Sequence, residues 1–302
     1  MATDRLRQAL FDWIWSSGVR MRDVAKRLGV SGPVEPLLGY LGPRLIRPPG
    51  HETLVELPNG YSLWIPANFP SYRNYTLGVY ERKLNTLLPR LVRTDMSAVD
   101  VGANVGFYTV ALSRLVGDRG KVFAFEADDL AFTFLKRNLI ENGCQNVTAV
   151  NAAVSERPGL VHFVPDSVER GFVDTTSRPR SVQVPAISLD SYFGAMSWPR
   201  IDFIKLDIEG SEQSAVDGMT QLSQRNPALS MVMEYNRETI HRSGSTEEQL
   251  SSGLRRAGFQ YGWVIERDLV PLPAELQLPH TGSLFNLLLT KGTLGPNLSA
   301  AR

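Results

Sequence analysis

From Val99 onward, apolar runs with strand character alternate with amphipathic segments of helical length. This alternation is typical of α/β proteins, in which helices connect parallel strands and cover both faces of the sheet. Ligands of such sheets bind at the carboxyl ends of the strands. The sequence therefore predicts a doubly wound, mostly parallel, seven-stranded sheet. Strands are predicted at residues 98–101, 121–126, 147–151, 201–207, 230–234, 261–266 and 284–290, and helices at residues 106–116, 129–142, 211–222 and 247–257.

Two segments of this region carry additional signals. The helix at 247–257 has defined ends, because Thr246 and Gln249 can form a capping box and Gly258 can close the C-terminus. Residues 157–185 depart from the alternation and are rich in arginine, proline, serine and threonine. We expect a short hairpin there, followed by a loop over the ligand site.

The first 50 residues are predicted to form a helical extension, because apolar residues recur at helical spacing between residues 4 and 29. Packing on the main domain, or on a second subunit in a homodimer, is the favoured interpretation. Arginines and lysines beside tryptophans also permit peripheral contact with a membrane surface. A helix-turn-helix interpretation is rejected, because Pro36 would interrupt the second helix.

Composition excludes several functional classes. With 32 basic and 31 acidic residues the net charge is +1, which gives no reason to expect a nucleic-acid partner. The single cysteine, Cys144, excludes an internal disulfide and a cysteine-cluster zinc site. No apolar run reaches the roughly 20 residues of a transmembrane helix, and no signal peptide follows the first residues. The expected location is the cytoplasm.

A strand that passes through a glycine-containing turn into a helix is the central motif, at residues 99–108. Gly102 allows an unusual backbone angle and close approach of a ligand, and Gly106 lets the helix sit tightly against the turn. The next strand ends in Glu126, whose carboxylate could accept hydrogen bonds from both ribose hydroxyls of an adenosine. Asn104 stands where a dinucleotide fingerprint has its middle glycine, so a cofactor without pyrophosphate fits better than a nicotinamide. The alternative is that Asp100 caps the turn and Glu126 is a solvated strand end.

Charged residues gather after the fourth predicted strand, where Lys205, Asp207, Glu209 and Glu212 surround one turn. So many charges at a strand end exceed what a buried edge normally tolerates. An ion-pair cluster that caps the following helix is the alternative, but the position opposite the glycine turn favours an active site.

These segments together resemble the FkbM-type methyltransferases. The resemblance covers over half of the chain and implies the class I methyltransferase fold, S-adenosylmethionine as cofactor, and methyl transfer to a hydroxyl of a sugar, glycolipid or macrolide. It implies that Asp207 and Glu209 are active-site acids. The motifs that carry it are Gly78-Val-Tyr-Glu81, Asp100-Val-Gly-Ala-Asn-Val-Gly106, Phe123-Ala-Phe-Glu126, Ile187-Ser-Leu-Asp190 and Lys205-Leu-Asp-Ile-Glu-Gly-Ser-Glu212. Of these, Asp100, Gly102, Asn104 and Glu126 look like cofactor contacts.

The predicted site follows from these motifs and from the strand ends. Asp207 is the first candidate for a general base or its orienting group, with Glu209, Glu234 and His241 behind it. Asp207, Glu234 and Asn236 could alternatively hold a divalent metal, which is not the expected case. A nicotinamide oxidoreductase and a non-catalytic scaffold remain the other functional classes, and the expected partner is a small-molecule or glycan acceptor. The predicted cofactor contacts are Tyr80, Glu81, Asp100, Gly102, Ala103, Asn104, Gly106, Phe107, Glu126, Ala127, Ala152, Ala153 and Asp207.

The predicted domain limits follow from the same patterns. The helical extension spans residues 1–50, and residues 51–95 form a hairpin and helical lead-in that covers the cofactor site. Asn59-Gly60 is the hairpin signal in this lead-in. The methyltransferase-like domain spans residues 96–292, and a tail spans residues 293–302.

Overall fold

The computed structural model describes residues 47–165, 171–174, 181–266, 268–279 and 284–294. The predicted N-terminal helix and most of the predicted C-terminal tail lie outside these residues.

A β-hairpin and two helices precede the sheet. The hairpin turns at Asn59-Gly60 as predicted, with Gly60 at φ 81°. Asn138, on a later helix, fixes it to the rest of the fold, because its side chain accepts from the Trp64 N–H at 2.6 Å and donates to the Trp64 carbonyl at 2.8 Å. The elements are Thr53–Glu56 (β1), Ser62–Ile65 (β2), Tyr72–Leu77 (α1) and Arg82–Leu91 (α2).

The first half of the main sheet alternates strands and helices as the sequence predicts. Its elements are Ser97–Val101 (β3), Phe107–Val116 (α3), Lys121–Glu126 (β4), Asp129–Glu141 (α4) and Val147–Asn151 (β5).

A second, four-stranded sheet occupies the region for which a short hairpin and a loop are predicted. The hairpin is present, but strands on either side enlarge it, so the prediction of only a hairpin and a loop is wrong for the described residues. The sheet has the order β6-β9-β7-β8. Its strands are Ala153–Val154 (β6), Gly159–Pro165 (β7), Gly171–Asp174 (β8) and Val182–Ile187 (β9).

The second half of the main sheet begins after this insertion. The helix predicted at residues 211–222 is two short helices, separated at Gly218, which lies against the backbone of Ser155 and Glu156 where a side chain would not fit. The predicted capping box of Thr246 and Gln249 is present. The elements are Leu189–Ala195 (α5), Phe203–Leu206 (β10), Glu212–Asp217 (α6), Thr220–Arg225 (α7), Ser230–Asn236 (β11), Arg237–Arg242 (α8), Glu247–Arg256 (α9), Tyr261–Ile265 (β12), Leu269–Pro271 (β13) and Leu284–Thr290 (β14).

The main sheet has eight strands in the order β13-β12-β14-β11-β10-β3-β4-β5. All seven predicted strands are present, and β13 adds an eighth at the edge, where a proline is tolerated. The pairs from β11 to β5 are parallel, whereas β14 lies antiparallel between β11 and β12. The fold is therefore the Rossmann-like α/β class, with a large, mostly parallel central sheet.

Alternating strand residues face two separate apolar cores, one on each side of the sheet. On β3, for example, Ala98 packs with helices α3 and α4, whereas Val99 packs with helices α5, α6, α7 and α9. Because both faces are covered, the carboxyl ends of the parallel strands are where a ligand can reach the sheet.

Candidate functional site

A cleft of about 260 Å³ lies at the carboxyl ends of β3, β4, β10 and β11. The segment between β2 and α2 borders it on one side, and the β7–β8 hairpin borders it on the other. The predicted site residues that line it are Tyr80, Glu81, Asp100, Gly102, Ala103, Asn104, Phe107, Glu126, Ala127, Ala152, Ala153, Asp207, Glu209 and Glu234.

Gly102 has a left-handed backbone, with φ 79°. A Cβ at this position would overlap the carbonyl oxygen of Asp207. Position 102 therefore requires a glycine because the backbone that follows β10 leaves no room for a side chain. The sequence had suggested that the close neighbour would be a ligand. This contact brings the turn after β3 and the acid-bearing turn after β10 directly together.

Asn104 and Glu126 connect the turn after β3 to the end of β4. Asn104 is also left-handed, with φ 51°, and its N–H donates to Glu126 Oε2 at 2.7 Å. The Asp128 N–H donates to Glu126 Oε1 at 2.8 Å. Glu126 is thus a buried, oriented carboxyl group at the cleft wall, and the interpretation of a solvated strand end does not describe it.

Burial raises the pKa of Glu126 to about 7, against the opposing effect of the backbone N–H groups of Asp128 and Asn104. A carboxylate has about four acceptor positions, and two protein hydrogen bonds reach this one. It therefore retains the capacity to accept hydrogen bonds from ligand hydroxyls.

Gly106 does not line the cleft, so the prediction that it contacts the cofactor is not supported by its position. Its φ is 97° at the start of α3, and a Cβ would lie 2.8 Å from Leu135 Cδ1 on α4. The glycine instead lets two helices approach each other, which is the tight packing that the sequence indicated.

Small residues and one aromatic ring form the wall beyond Glu126. Ala127 and Ala153 pack with Phe163 of β7, and all three line the cleft. A Cβ on Gly171 would overlap the Phe163 ring, so the ring lies across the backbone of β8. This part of the wall is therefore apolar.

The turn after β10 begins with a buried ion pair. Lys205 Nζ donates to Asp207 Oδ2 at 2.8 Å, and the lysine is 4% exposed. Burial alone would lower the pKa of Lys205, but the charges of Asp207, Asp100 and Glu81 raise it above its ordinary value. Lys205 therefore remains charged. Its ammonium also lies 4.7 Å from the centre of the Tyr108 ring.

Asp100 is fully buried beside this pair. Its Oδ2 accepts from the Thr109 hydroxyl at 2.6 Å, whereas its Oδ1 has no hydrogen-bond partner among the residues that the structure describes. Burial raises the pKa of Asp100 above its ordinary value. A buried acceptor without a partner in the wall of a cleft is a position where a ligand donor would be stabilised.

Glu209 and Glu234 face the cleft beyond Asp207. Glu209 is left-handed, with φ 53°, and Glu212 holds its turn by accepting from the Gly210 N–H at 3.1 Å. Glu212 is thus the buried residue that shapes the turn and does not line the cleft. Burial, followed by the charges of Asp207, Glu209 and Glu81, raises the pKa of Glu234 far above its ordinary value, so this carboxyl group carries a proton at neutral pH.

Glu81 is held at the opposite border of the cleft. Its Oε2 accepts from the Tyr108 hydroxyl, and its Oε1 accepts from Asn286 Nδ2 on β14 at 2.9 Å. Tyr80 packs edge-on against Phe107, with 4.9 Å between the ring centres. The segment before α2 is therefore attached to the sheet at the cleft itself.

Two predicted residues are engaged elsewhere. His241 Nε2 lies 2.7 Å from Glu247 Oε2, on the surface where α8 meets α9, and it does not line the cleft. Asn236 caps α8, because its Oδ1 accepts from the Glu238 N–H at 3.1 Å. Within the described part of the chain, no group of three or more histidine, cysteine or carboxylate side chains has the arrangement of a metal site. Asn236, the third residue of the metal alternative, does not line the cleft with Asp207 and Glu234.

Sequence reasoning missed several residues of the cleft. The sequence identifies Lys205 and Glu212 only as charged residues. Their spacing could not show that Lys205 lies buried at the cleft or that Glu212 supports the turn. Tyr108 lies at the end of the motif at residues 99–108, but no role for it follows from the sequence. The hairpin residues Phe163 and Phe172 carried no signal, because their place over the cleft depends on the second sheet.

Comparison with known proteins places this site within a family. A sequence profile of the methyltransferase FkbM domain matches residues 100–261, just over half of the chain. The chain belongs to the FkbM methyltransferase domain family. The matched region of this family member includes the turn after β3, Glu126, the second sheet and the acid-bearing turn after β10.

Individual proteins that resemble this FkbM-family chain match only part of it, and at low sequence identity. It is 27% identical over 144 residues to the hexuronic acid methyltransferase AglP of Haloferax volcanii, which covers 48% of this chain and 58% of that protein. It is 28% identical over 90 residues to a probable cobalt-precorrin-6B C(15)-methyltransferase (decarboxylating) of Sulfolobus acidocaldarius, which covers 30% of this chain and 45% of that protein. The chain thus spans about half the length of these curated relatives.

Among solved structures, a SAM dependent methyltransferase from Aquifex aeolicus matches with a TM-score of 0.41 and 16% sequence identity, covering 73% of this chain and 93% of that one. Among the helices that the structure describes, none is long and apolar enough to cross a membrane.

Proposed function

We propose that this protein transfers the methyl group of S-adenosylmethionine to a hydroxyl group of a small-molecule or glycan acceptor of the sugar, glycolipid or macrolide class. One observation carries the proposal. The oriented carboxyl group of Glu126 and the acids Asp207, Glu209 and Glu234 line a single cleft, at opposite sides of the Gly102 turn. Family membership and the hexuronic acid methyltransferase relative support the same reaction class.

The residues of the cleft fit this cofactor. Glu126 has acceptor capacity for the two ribose hydroxyls, and Asp100, which borders the cleft, adds a buried carboxyl group whose Oδ1 has no hydrogen-bond partner among the described residues. Seven acidic residues line the cleft, and Lys205 is the one basic residue among the lining side chains that the structure describes. Such a balance favours a cationic sulfonium and opposes the pyrophosphate of a nicotinamide cofactor.

When bound, the cofactor supplies an activated methyl group, so the protein has to orient the acceptor and remove its proton. The hydroxyl proton of the acceptor would pass to a carboxylate of the cleft. We propose Asp207 as that base or as its orienting group, with Glu209 beside it. Glu234 carries a proton in the free protein, so it would donate a hydrogen bond to the acceptor rather than accept its proton.

The cofactor assignment is tested by calorimetry with the purified full-length chain. We expect S-adenosylmethionine and S-adenosylhomocysteine to bind, and to bind more tightly than NAD. Binding of NAD with no response to either adenosyl compound would refute the assignment.

The reaction is tested with radiolabelled S-adenosylmethionine and a panel of hydroxylated metabolites and glycans. Asp207→Asn should retain cofactor binding and lose methyl transfer, because an amide has nearly the same shape but cannot accept the proton. Chelator should leave the wild-type protein active. Full activity of Asp207→Asn would move the role of base to Glu209, and loss of activity with chelator would favour the metal-dependent alternative. NMR of the labelled product distinguishes an O-methyl group from a C-methyl group.

A further inference from the structure

The β7–β8 hairpin brings an aromatic residue to the acid-bearing side of the cleft. Phe172, in the middle of β8, is half-buried and lines the same cleft as Asp207, Glu209 and Glu234. Side chains alternate between the two faces of a strand. Phe172 therefore belongs to the opposite face from Gly171 and Val173, whose face packs with Phe163. Phe163 and Phe172 therefore lie on opposite faces of the hairpin, and both border the cleft.

Arg242, at the end of α8, holds Phe172 in place. Its guanidinium carbon lies 4.1 Å from the centre of the Phe172 ring, which is the geometry of a cation–π contact. Its Nη2 also donates to the Glu209 carbonyl oxygen at 3.2 Å. A single exposed arginine therefore links the hairpin to the turn that carries the acids.

Through Arg242, the apolar ring of Phe172 is held beside the turn of Glu209, in the cleft that Glu234 also lines. Small-molecule sites typically combine apolar walls with a few polar groups that fix the orientation of the ligand. The face of a cyclic polyol that carries C–H bonds packs against an aromatic ring, and its hydroxyls donate to carboxylates. An acyclic polyol also carries hydroxyls but has no rigid face to place on the ring.

We propose that Phe172, held by Arg242, is the platform on which the ring of the methyl acceptor lies, while Glu209 accepts a hydrogen bond from one of its hydroxyl groups and Glu234 donates a hydrogen bond to another. The acceptor is accordingly an uncharged cyclic polyol, of which a pyranoside is the simplest case, because the acidic lining of the cleft opposes an anion. This inference rests on the proposed methyl transfer and adds the residues that select its acceptor.

The test compares pyranosides with the open-chain alditols that share their configuration at C2 to C5. Methyl glucopyranoside, methyl mannopyranoside and methyl galactopyranoside are assayed beside glucitol, mannitol and galactitol, with radiolabelled S-adenosylmethionine. We expect methyl transfer to at least one pyranoside and much less to its alditol. Phe172→Leu should raise the KM of that pyranoside by about tenfold and change kcat much less, because the aromatic face is lost. Phe172→Trp should keep the KM within about threefold of the wild type, since it retains a ring.

Arg242 acts as a positioning residue and needs a separate readout. Arg242→Ala should raise the acceptor KM by about two- to fivefold with a smaller change in kcat, as expected for loss of one cation–π contact. Phe132→Leu is the matched control for Phe172→Leu. Phe132 also has a cation near its ring, with Lys136 Nζ 5.0 Å from the ring centre, but it does not line the cleft. This control should leave the KM unchanged.

The outcomes separate this inference from the proposed function. If the protein does not bind S-adenosylmethionine, the proposed function fails first. If it binds the cofactor and methylates alditols as well as pyranosides, or methylates none of the six compounds, the inference is overturned. An unchanged KM in Phe172→Leu overturns it as well, whatever the acceptor.

Discussion

Glu126 shows how a single side chain can serve both the fold and the ligand. Its two oxygens receive the Asn104 and Asp128 N–H groups at 2.7 and 2.8 Å, and these bonds aim the carboxyl group along the cleft wall. The sequence indicated the residue type and the strand end, because an acid that follows such a turn is a recognisable pattern. It did not indicate the two N–H bonds, of which the one from Asn104 depends on the left-handed backbone of that residue.

Replacement of Glu126 by glutamine should weaken cofactor binding by about 1.5–3 kcal/mol, the usual contribution of hydrogen bonds to a charged group. The amide has one acceptor oxygen, so one of the two backbone N–H groups would also lose its partner. Calorimetric titration with S-adenosylhomocysteine measures the change. Asp129→Asn, at the neighbouring exposed position outside the cleft lining, is the control and should bind normally. An unaltered dissociation constant in Glu126→Gln would mean that another group holds the ribose.

At the scale of elements, the sequence was sufficient to predict a turn or a helix cap when all the residues that form it lie close together in the chain. The Asn59-Gly60 turn and the Thr246–Gln249 capping box depend on residues a few positions apart, and both are present. The predicted helix at 211–222 was wrong as one piece, since it is interrupted at Gly218, whose backbone lies against that of Ser155, a residue distant in sequence. Phe172 was missed for the same reason, since its contact with Arg242 joins two segments that no pattern connects.

Two glycines with nearly the same backbone test the role of the turn after β3. Gly102 and Gly60 have φ values of 79° and 81°, so alanine should cost about 1–2 kcal/mol of unfolding free energy at either position from backbone strain alone. A methyl group at position 60 would meet no atom within 4 Å, whereas at position 102 it would overlap the Asp207 carbonyl. Gly102→Ala should therefore be clearly more destabilising and should also abolish methyl transfer.

Urea denaturation and the methyl transfer assay, applied to both variants, check this prediction. Gly60→Ala should retain cofactor affinity and activity. Equal destabilisation of the two variants would show that the Asp207 turn moves aside at little cost, and that the close contact across the cleft is not needed for function.

At the scale of the whole molecule, the alternating pattern predicted the class of fold but not the order of its strands. Parallel pairing of β3, β4 and β5 follows from consecutive strand–helix units. The position of β14 between β11 and β12 depends on pairing across long stretches of chain, such as Glu234 with Asn286. That pairing also brings Asn286 to Glu81, and so ties the segment before the sheet to the end of the chain.

Buried acids of the cleft region should give the whole molecule an unusual dependence of stability on pH. Burial raises the pKa of Glu126 and of Glu212 to about 7, from 4.5. Between these values the folded protein binds more protons than the unfolded chain, so the unfolding free energy falls as the pH rises from about 5 to about 7. The effect is about 1.4 kcal/mol for each unit of pKa difference that is realised. The Tm of the ligand-free protein should therefore decrease over this range.

S-adenosylhomocysteine should oppose this trend, because ribose hydroxyls bind the ionised form of Glu126. The increase in Tm that a fixed ligand concentration produces should accordingly be small at pH 5 and larger at pH 7 to 8. Differential scanning fluorimetry across this range, with and without ligand, measures both effects. In Glu126→Gln the ligand-dependent part should become nearly independent of pH, while Glu212 preserves part of the decrease in the ligand-free Tm. In Glu212→Gln the ligand-dependent part should keep its dependence on pH, and Glu126 should preserve part of the decrease in the ligand-free Tm. A ligand effect that is equally large at pH 5 and pH 8 in the wild-type protein would show that Glu126 does not bind the cofactor as a carboxylate.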